Sequence, residues 1–225
     1  MNHIRRAFAL TAAAAMAAMV TGAASACGGT TTAAGPPTNG GATTATGPPT
    51  NGLEKKSPAE VLRAAAAALR AAKSVHIVGS DAPGHFDYRM QGSSTIGTIT
   101  LPGEQTRFRV IGRDAYARID RGHNAGRWLK SPHFKEFTLA QWASNPFSGY
   151  GPLEPKVQQA TVNGRKVVVV NWRNGSKLDV ANTGPPYPLR EDFKGNYPVR
   201  VVFSEYNVPV DIAAPSNAID ASKAG

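Results

Sequence analysis

The stretch that decides the fold lies at residues 85–91 and reads His85-Phe86-Asp87-Tyr88-Arg89-Met90-Gln91. Large apolar side chains stand at every second position, with polar or charged side chains between them. This alternation predicts a β-strand that has one apolar face and one charged face. Because an apolar sheet face must be buried against another layer, the stretch predicts a sheet covered by a helix on one side.

The same alternation returns in most of the chain that surrounds this strand. The predicted strands are Ser74–Ser80, His85–Gln91, Thr95–Leu101, Gln105–Ile111, Ala115–Ile119, Val157–Val162, Arg165–Trp172, Lys177–Ala181, Val199–Glu205 and a last extended piece, Val208–Ala213. Asn163-Gly164 is the dipeptide typical of a two-residue hairpin loop. Short turns between successive strands predict a long antiparallel meander.

A helix precedes the first strand. Ser57-Pro58-Ala59-Glu60 is a capping box with proline at the first helical position, and the helix is predicted to continue to about Lys73. Its apolar stripe consists of Val61, Leu62, Ala65, Ala66, Leu69 and Ala72. Thr138–Gln141 is a second possible capping box, for a short helix inside the aromatic-rich segment Arg121–Glu154.

The N-terminus has the organisation of a signal peptide, predicted at residues 1–26. Arg5 and Arg6 precede an apolar region, Phe8–Val20, that is short for a membrane span. The small residues Ala24-Ser25-Ala26 then lead to Cys27, the one cysteine of the chain. Cleavage before Cys27 would make it the first residue, which predicts acylation of its thiol and anchoring at the outer face of the cytoplasmic membrane.

Two processing routes fit this region. A lipoprotein site requires a small residue before the cysteine, as Ala26 is, and usually has Leu, Val or Ile where Ala24 stands. A plain secretory site of A-x-A type fits the same residues. Both cuts leave Cys27 first, so only the modification of the thiol distinguishes them, and an ordinary free cysteine is the alternative.

Residues 27–56 are predicted to be the lipidated cysteine followed by a disordered tether. Gly, Thr, Ala, Pro and Asn dominate it, and Gly-Pro-Pro-Thr-Asn-Gly occurs twice, at residues 35–40 and 47–52. Residues 57–225 are long enough for one domain with its own hydrophobic core.

The chain is basic, with 25 Lys and Arg against 15 Asp and Glu. Removal of Arg5 and Arg6 with the signal peptide leaves 23 basic residues against 15 acidic ones, a net charge of +8. Export argues against nucleic acid as the partner, so anionic lipid headgroups or acidic wall polymers are favoured. The alternative is that the arginines only solvate the surface.

The chain resembles the actinobacterial envelope lipoproteins of the LppX/LprAFG type, in the LolA-like superfamily. Four segments carry the resemblance: Leu69–His76, Ile111–Arg118 with Arg127–Lys130, the Asn163-Gly164 hairpin with Ala181–Arg190, and Val201–Val210. The resemblance implies an α+β fold with a strongly curved antiparallel sheet, a half-barrel, and helices over its concave face. It also implies a protein that holds acyl chains between sheet and helices and carries lipids.

If the chain is a lipid carrier, its apolar strand faces would line a cavity and arginines at the rim would hold the headgroup. The candidate cavity residues are Phe86, Tyr88, Met90, Phe108, Val110, Tyr116, Trp172, Val201 and Phe203. The candidate headgroup contacts are Arg107, Arg109, Arg118 and Arg200. The alternative for the apolar set is a closed, well-packed core.

Two further functions are alternatives to lipid binding. A tethered module could bind an envelope protein or wall polymer through its basic face or through Arg121–Tyr150. An enzyme is disfavoured because no nucleophile elbow, phosphate-binding glycine loop or zinc motif is present. His85 and Asp87 share a predicted strand face, and His133-Phe134-Lys135-Glu136 has ligand types at helical spacing. Neither reaches three convergent ligands, so no metal, cofactor or catalytic residue is predicted.

Overall fold

The computed structural model describes residues 49–81, 84–132, 138–144, 146–147, 150–195 and 198–223. They all belong to one compact unit, Pro48–Gly225. The predicted signal peptide, Cys27, most of the tether and the His133–Glu136 motif lie outside these residues, so the interpretations made of them remain predictions.

The opening helix forms where its capping box predicts. Helix α1 is Pro58–Ala71, and the short helix α2 is Leu139–Ser144. The backbone nitrogen of Ser57 donates to Glu60 Oε2 at 2.9 Å, and the backbone nitrogen of Glu60 donates to Ser57 Oγ at 3.4 Å. This reciprocal pair satisfies two amide groups that the first turn of a helix leaves without partners. The buried face of α1 is Pro58, Val61, Ala65 and Leu69.

The packed part of the chain begins before Ser57. A 3₁₀ turn at Leu53–Lys55 precedes α1, and Leu53 is buried in the core. The backbone nitrogen of Asn51 donates to Asn182 O, and its side chain donates to the carbonyls of residues 181 and 184. The composition predicts that the tether extends to Lys56. In the structure, the buried Leu53 and the side-chain amide of Asn51 attach the end of that stretch to the folded domain.

In the part of the chain that the structure describes, twelve strands form one sheet in the order β12-β6-β5-β4-β3-β2-β1-β11-β10-β9-β8-β7. In chain order they are β1 Ser74–Asp81, β2 Gly84–Gln91, β3 Ser94–Leu101, β4 Glu104–Ile111, β5 Asp114–Ile119, β6 Trp128–Ser131, β7 Gln158–Val162, β8 Arg165–Asn171, β9 Lys177–Ala181, β10 Pro188–Phe193, β11 Val199–Ser204 and β12 Ala218–Asp220. The sheet is open, because β12 and β7 are its edges. Neighbouring strands are antiparallel apart from β12, which pairs parallel with β6.

Three of these strands, β6, β10 and β12, are not predicted by the alternation of apolar and polar residues. In β10 a carboxyl side chain occupies an inward position, which breaks the apolar–polar alternation, while β6 and β12 are too short to show a period. Val208–Ala213, predicted as a last strand, forms no ladder. It belongs instead to residues 208–217, here called the strap. The strap crosses the sheet and leads to β12, which pairs with β6 at the edge of the sheet.

The hairpin at Asn163-Gly164 is confirmed. Asn163 has φ 50° and Gly164 has φ 75°, the left-handed conformation that a tight two-residue loop requires. The loop joins β7 to β8, with Val162 opposite Arg165.

Strand register separates two faces of the sheet. Directly opposed residues point to the same side, so Ile77, Tyr88, Gly97, Phe108 and Ala117 form one row across β1 to β5. We call this side the inner face, because its continuation in β8 and β9 packs against α1. The outer face holds the residues between them, including His76 and Arg109.

Candidate functional site

The predicted cavity residues lie on the inner face, with one exception. Phe86, Tyr88, Met90, Phe108, Val110, Trp172, Val201 and Phe203 all share it. The sequence predicts Tyr116 on the same face, but it lies opposite Arg109 on the outer face. The error is one of register: the Gly112-Arg113 turn makes Ala115 and Ala117, not Tyr116, the neighbours of Val110 and Phe108.

An aromatic cluster occupies the inner face between β1 and β4. Phe86 and Tyr88 stack with ring centroids 4.8 Å apart, and Phe108 meets Tyr88 edge-on at 5.2 Å. Gly79 and Gly97 make room for these rings, because a Cβ at Gly79 would collide with the Phe86 ring and one at Gly97 would lie 2.6 Å from the Tyr88 ring. Sequence reasoning missed both glycines, although glycine inside a strand pattern is itself a signal of close approach.

The inner face is covered unevenly. Over β8–β11, here called the covered half, α1 and the loop residue Tyr150 seal a core. The core comprises Leu53, Val61, Ala65, Tyr150, Val168, Val170, Trp172, Leu178 and Val180. Over β3–β6, here called the open half, most apolar inner side chains are only half-buried: Ile99, Phe108, Ala117, Ile119 and Leu129.

One acidic side chain lies within the covered half. Glu191 stands on the inner face opposite Leu178 and Val201 and is only 6% exposed. Burial raises the pKa of this carboxyl to about 8, so at neutral pH it is mainly uncharged. No sequence pattern predicts this burial, because Glu191 lies in a run of charged residues, Arg190-Glu191-Asp192, that is typical of a solvated strand.

The predicted headgroup arginines lie on the other side of the sheet from the predicted cavity. Arg107, Arg109 and Arg118 are outer-face residues of β4 and β5, and Arg200 is an outer-face residue of β11. The backbone of the sheet therefore separates them from Phe108 and its neighbours. They cannot form the rim of an inner-face cavity, because alternate residues of one strand point to opposite faces.

The arginines of the outer face differ in their partners. In the covered half Arg190 and Arg200 are paired with carboxylates: Arg190 Nη2 lies 2.8 Å from Asp179 Oδ2, and Arg200 Nε lies 2.6 Å from Asp192 Oδ1. Arg165, at the exposed start of β8, is in no ion pair among the described residues. Burial pushes the pKa of Asp192 up, but the hydrogen bond and charge of Arg200, with two further cations, outweigh it and hold that pKa below its usual value. In the open half, the ion pairs among the described residues include none with Arg107, Arg109 or Arg118.

The three unpaired arginines line a cleft beneath the strap. Val210 N donates to Gln91 Oε1 at 2.7 Å at one end of the strap, and β12 pairs with β6 at the other. Between these ends Arg109 donates to the carbonyl of Ala213 and lies 5.2 Å from the Trp128 ring. Two adjoining cavities of about 630 and 890 Å³ share Arg109, Arg118 and Trp128. We call the two together the basic cleft.

The histidine and aspartate that the sequence placed together do not form a pair. Asp87 Oδ1 lies 2.8 Å from His76 Nε2, on the neighbouring strand, and not beside His85. The other ring nitrogen of His76 lies 3.4 Å from Ser204 Oγ and 3.5 Å from Glu205 Oε1. A Ser–His–Asp order is thus present, but a carboxylate competes with the hydroxyl for the same nitrogen, so the group is a network of polar contacts between strands.

The described residues form neither a metal site nor a membrane-spanning helix. No three of their His, Cys, Asp and Glu side chains converge as a metal site would require. None of their helices is long and apolar enough to cross a membrane.

Comparison with known proteins identifies the fold. No protein-family model and no curated protein matches the chain. Among solved structures, LprF from Mycobacterium bovis matches with a TM-score of 0.53 and 16% identity, over 75% of this chain and 99% of LprF. Lipoprotein LppX from Mycobacterium tuberculosis matches with a TM-score of 0.49 and 15% identity, over 69% of this chain and 98% of LppX.

The likeness to LprF shows the fold alone, because the identity is low. The chain has the fold of LprF: a large open sheet, almost wholly antiparallel, with few helices. The α+β half-barrel expected from the sequence is therefore confirmed.

Proposed function

We propose that this chain is a non-catalytic envelope lipoprotein that binds the acyl chains of lipids or glycolipids against its inner face. Cys27, acylated, would hold it at the outer face of the cytoplasmic membrane, and the tether would let the domain stand away from the bilayer. The fold shared with LprF supports a place in this class of envelope proteins.

The observation that carries the proposal is the difference in burial along the inner face. Val168, Val170 and Leu178 in the covered half have no exposed surface, whereas Ile99 and Phe108 in the open half keep part of theirs. A sheet face that served only as packing would be sealed across its whole width. Each acyl methylene buried on such a face contributes about 0.8 kcal/mol, so one chain of ordinary length is enough for binding.

The described aromatic residues of Arg121–Tyr150 give less support to a protein-docking module. Tyr150 lies 4.8 Å from Trp172 and 4.8 Å from Phe193, and Trp142 meets Phe203 edge-on. Tyr150 and Trp142 pack into the domain instead of presenting an apolar surface to a partner. His76, held by two carboxylates, likewise favours a binding protein over a hydrolase.

Native mass spectrometry of the whole chain, purified from a host that makes envelope lipids, tests the proposal. A stoichiometric diacyl or triacyl species released by solvent extraction is expected. An apo mass, with no lipid taken up on incubation, would exclude the carrier and return attention to protein partners. The mass of the mature chain with and without Cys27→Ser tests acylation separately.

Two isoleucines of β3 provide a matched pair. Ile99 lies on the inner face and Ile96 on the outer face, and both are half-buried. Ile99→Gln is expected to lower lipid occupancy severalfold, while Ile96→Gln leaves it unchanged. Equal occupancy in the two variants would show that lipid does not bind on this face.

A further inference from the structure

The open half of the outer face concentrates positive charge in a way that the rest of the sheet avoids. Arg107 and Arg118 are directly opposite each other on β4 and β5, and Arg109 is the diagonal neighbour of Arg118. Like charges in directly opposed positions of a sheet are destabilising. Elsewhere on this face Arg190 and Arg200 have carboxylate partners, so the uncompensated group requires a separate explanation.

The guanidinium groups also retain hydrogen-bonding capacity. The Nε atoms of Arg109 and Arg118 are shielded from solvent and have no partner among the described atoms. A buried donor left without an acceptor is costly unless an acceptor arrives with a ligand. Arg107 Nε is directed to Gln105 Oε1 at 3.2 Å, which leaves the terminal nitrogens of Arg107 available.

The basic cleft encloses these donors. Its lining includes five arginines, Arg89, Arg107, Arg109, Arg118 and Arg127, against two aspartates, Asp87 and Asp211. Asp87 is occupied by His76 and Arg89, and Asp211 is an exposed residue of the strap. The positive charge is therefore greatest at Arg107, Arg109 and Arg118, beside Trp128, and the strap forms the wall across from the sheet.

We infer that the basic cleft on the outer face is a binding site for a phosphate group. Guanidinium forks match phosphate oxygens, and three of them approaching from two strands suit a tetrahedral oxyanion better than a planar carboxylate. The phosphate could come from a lipid headgroup or from a soluble phosphate compound. The site is distinct from the proposed acyl-binding face, because the sheet lies between them.

The test uses the whole chain carrying Cys27→Ser, so that an acyl anchor does not dominate membrane binding. Inorganic phosphate and glycerol phosphate are titrated against chloride of equal ionic strength, with the melting temperature and calorimetric affinity as readouts. Vesicles of phosphatidylglycerol and of phosphatidylcholine form the second arm. The site variant is Arg107→Gln/Arg118→Gln, and the charge-matched control is Arg63→Gln/Arg200→Gln.

Phosphate compounds or phosphatidylglycerol vesicles should bind, and the site variant should bind at least tenfold more weakly while the control changes less than twofold. Binding of the vesicles alone would identify a lipid headgroup as the source, whereas binding of glycerol phosphate would show that soluble phosphate suffices. If the site variant and the control lose the same affinity, the effect is one of net charge and the site is overturned. The site is also overturned if phosphate compounds bind no better than chloride and phosphatidylglycerol vesicles bind no better than phosphatidylcholine vesicles.

Stability gives an independent readout. Without phosphate, the site variant should melt at the same temperature as the parent or higher, because it removes the opposition of Arg107 and Arg118. The control should melt lower, since Arg200 loses Asp192. A site variant that melts well below the control would show that the arginines are structural, and would count against the inference.

Discussion

The two halves of this sheet have the same backbone architecture and different chemistry on both faces. In the covered half, α1 seals the inner face and carboxylates pair with the outer-face residues Arg190 and Arg200. In the open half, the inner apolar side chains stay half-buried and Arg107, Arg109 and Arg118 lack carboxylate partners among the described residues. The covered half therefore buries its apolar face and gives Arg190 and Arg200 carboxylate partners, whereas the open half leaves apolar surface and positive charge available for ligands.

The first way to test the comparison is to vary pH. Burial raises the pKa of Glu191 to about 8 in the folded chain, above the ordinary value of 4.5 that applies to the unfolded one. The folded state therefore holds an extra proton between these values, and stability falls as pH rises from about 5 to 8. Glu191→Gln should remove this fall and be more stable than the parent by about 4 kcal/mol at pH 8. Urea unfolding of both proteins at pH 5 and pH 8 measures this difference in stability. If the free energy of unfolding depends on pH in the same way in both proteins, Glu191 is hydrated in the folded state.

A pair of leucines compares the packing of the two inner faces. Leu178 in the covered half has no exposed surface, and Leu129 in the open half is half-buried. Leu178→Ala should lower the free energy of unfolding by about 3 kcal/mol, and Leu129→Ala by about 1 kcal/mol, because a cavity forms only where the surroundings are sealed. Chemical denaturation of both variants gives the difference. Equal losses would mean that the open half is as well packed as the covered half.

The outer faces can be compared by removing one charge from each. Asp192 accepts from Arg200 and lies 3.5 Å from Lys177, and it is 5% exposed. Asp192→Asn leaves these cations uncompensated and should cost about 2 kcal/mol. Arg118→Gln should cost nothing in chloride, because Arg118 has no carboxylate to lose. Thermal melts in phosphate-free buffer distinguish the two, and a comparable loss for Arg118→Gln would contradict the contrast.

The smallest effect concerns the helix that covers only one half. Ser57→Ala removes the N-cap of α1 and should lower stability by about 1 kcal/mol. Amide hydrogen exchange should quicken in β8 and β9, which α1 covers, more than in β4 and β5. Uniform quickening across the sheet would indicate that the two halves open together.

Much of the architecture was predictable because the signals are local. The capping box, the alternation in β2 and the Asn163-Gly164 loop depend on neighbouring residues, and each formed where expected. The strands that escaped are those with no local period: β10 contains the inward Glu191, and β12 is three residues long.

The candidate site was less predictable, because it depends on pairing. The alternation of apolar and polar residues predicts which residues share a face within one strand. This prediction is correct for the inner residues of β2, β4 and β11. The alternation does not show how strands align across a turn, so the prediction that Tyr116 lies on the inner face is wrong. Nor did it show that Asp87 pairs with His76, that Arg107 opposes Arg118, or that the strap crosses above them.

The sequence by itself determined the elements of this protein: one amphipathic helix, two-faced strands and tight turns, since these follow from side-chain periodicity and backbone preference. It also predicts an exported chain with one cysteine placed for a lipid. Only the tertiary structure decided which face of the sheet each arginine occupies, which carboxylates neutralise it and how far the helix reaches. Those outcomes depend on register and on contacts between residues more than a hundred positions apart, such as Arg109 with Ala213, which no local pattern encodes.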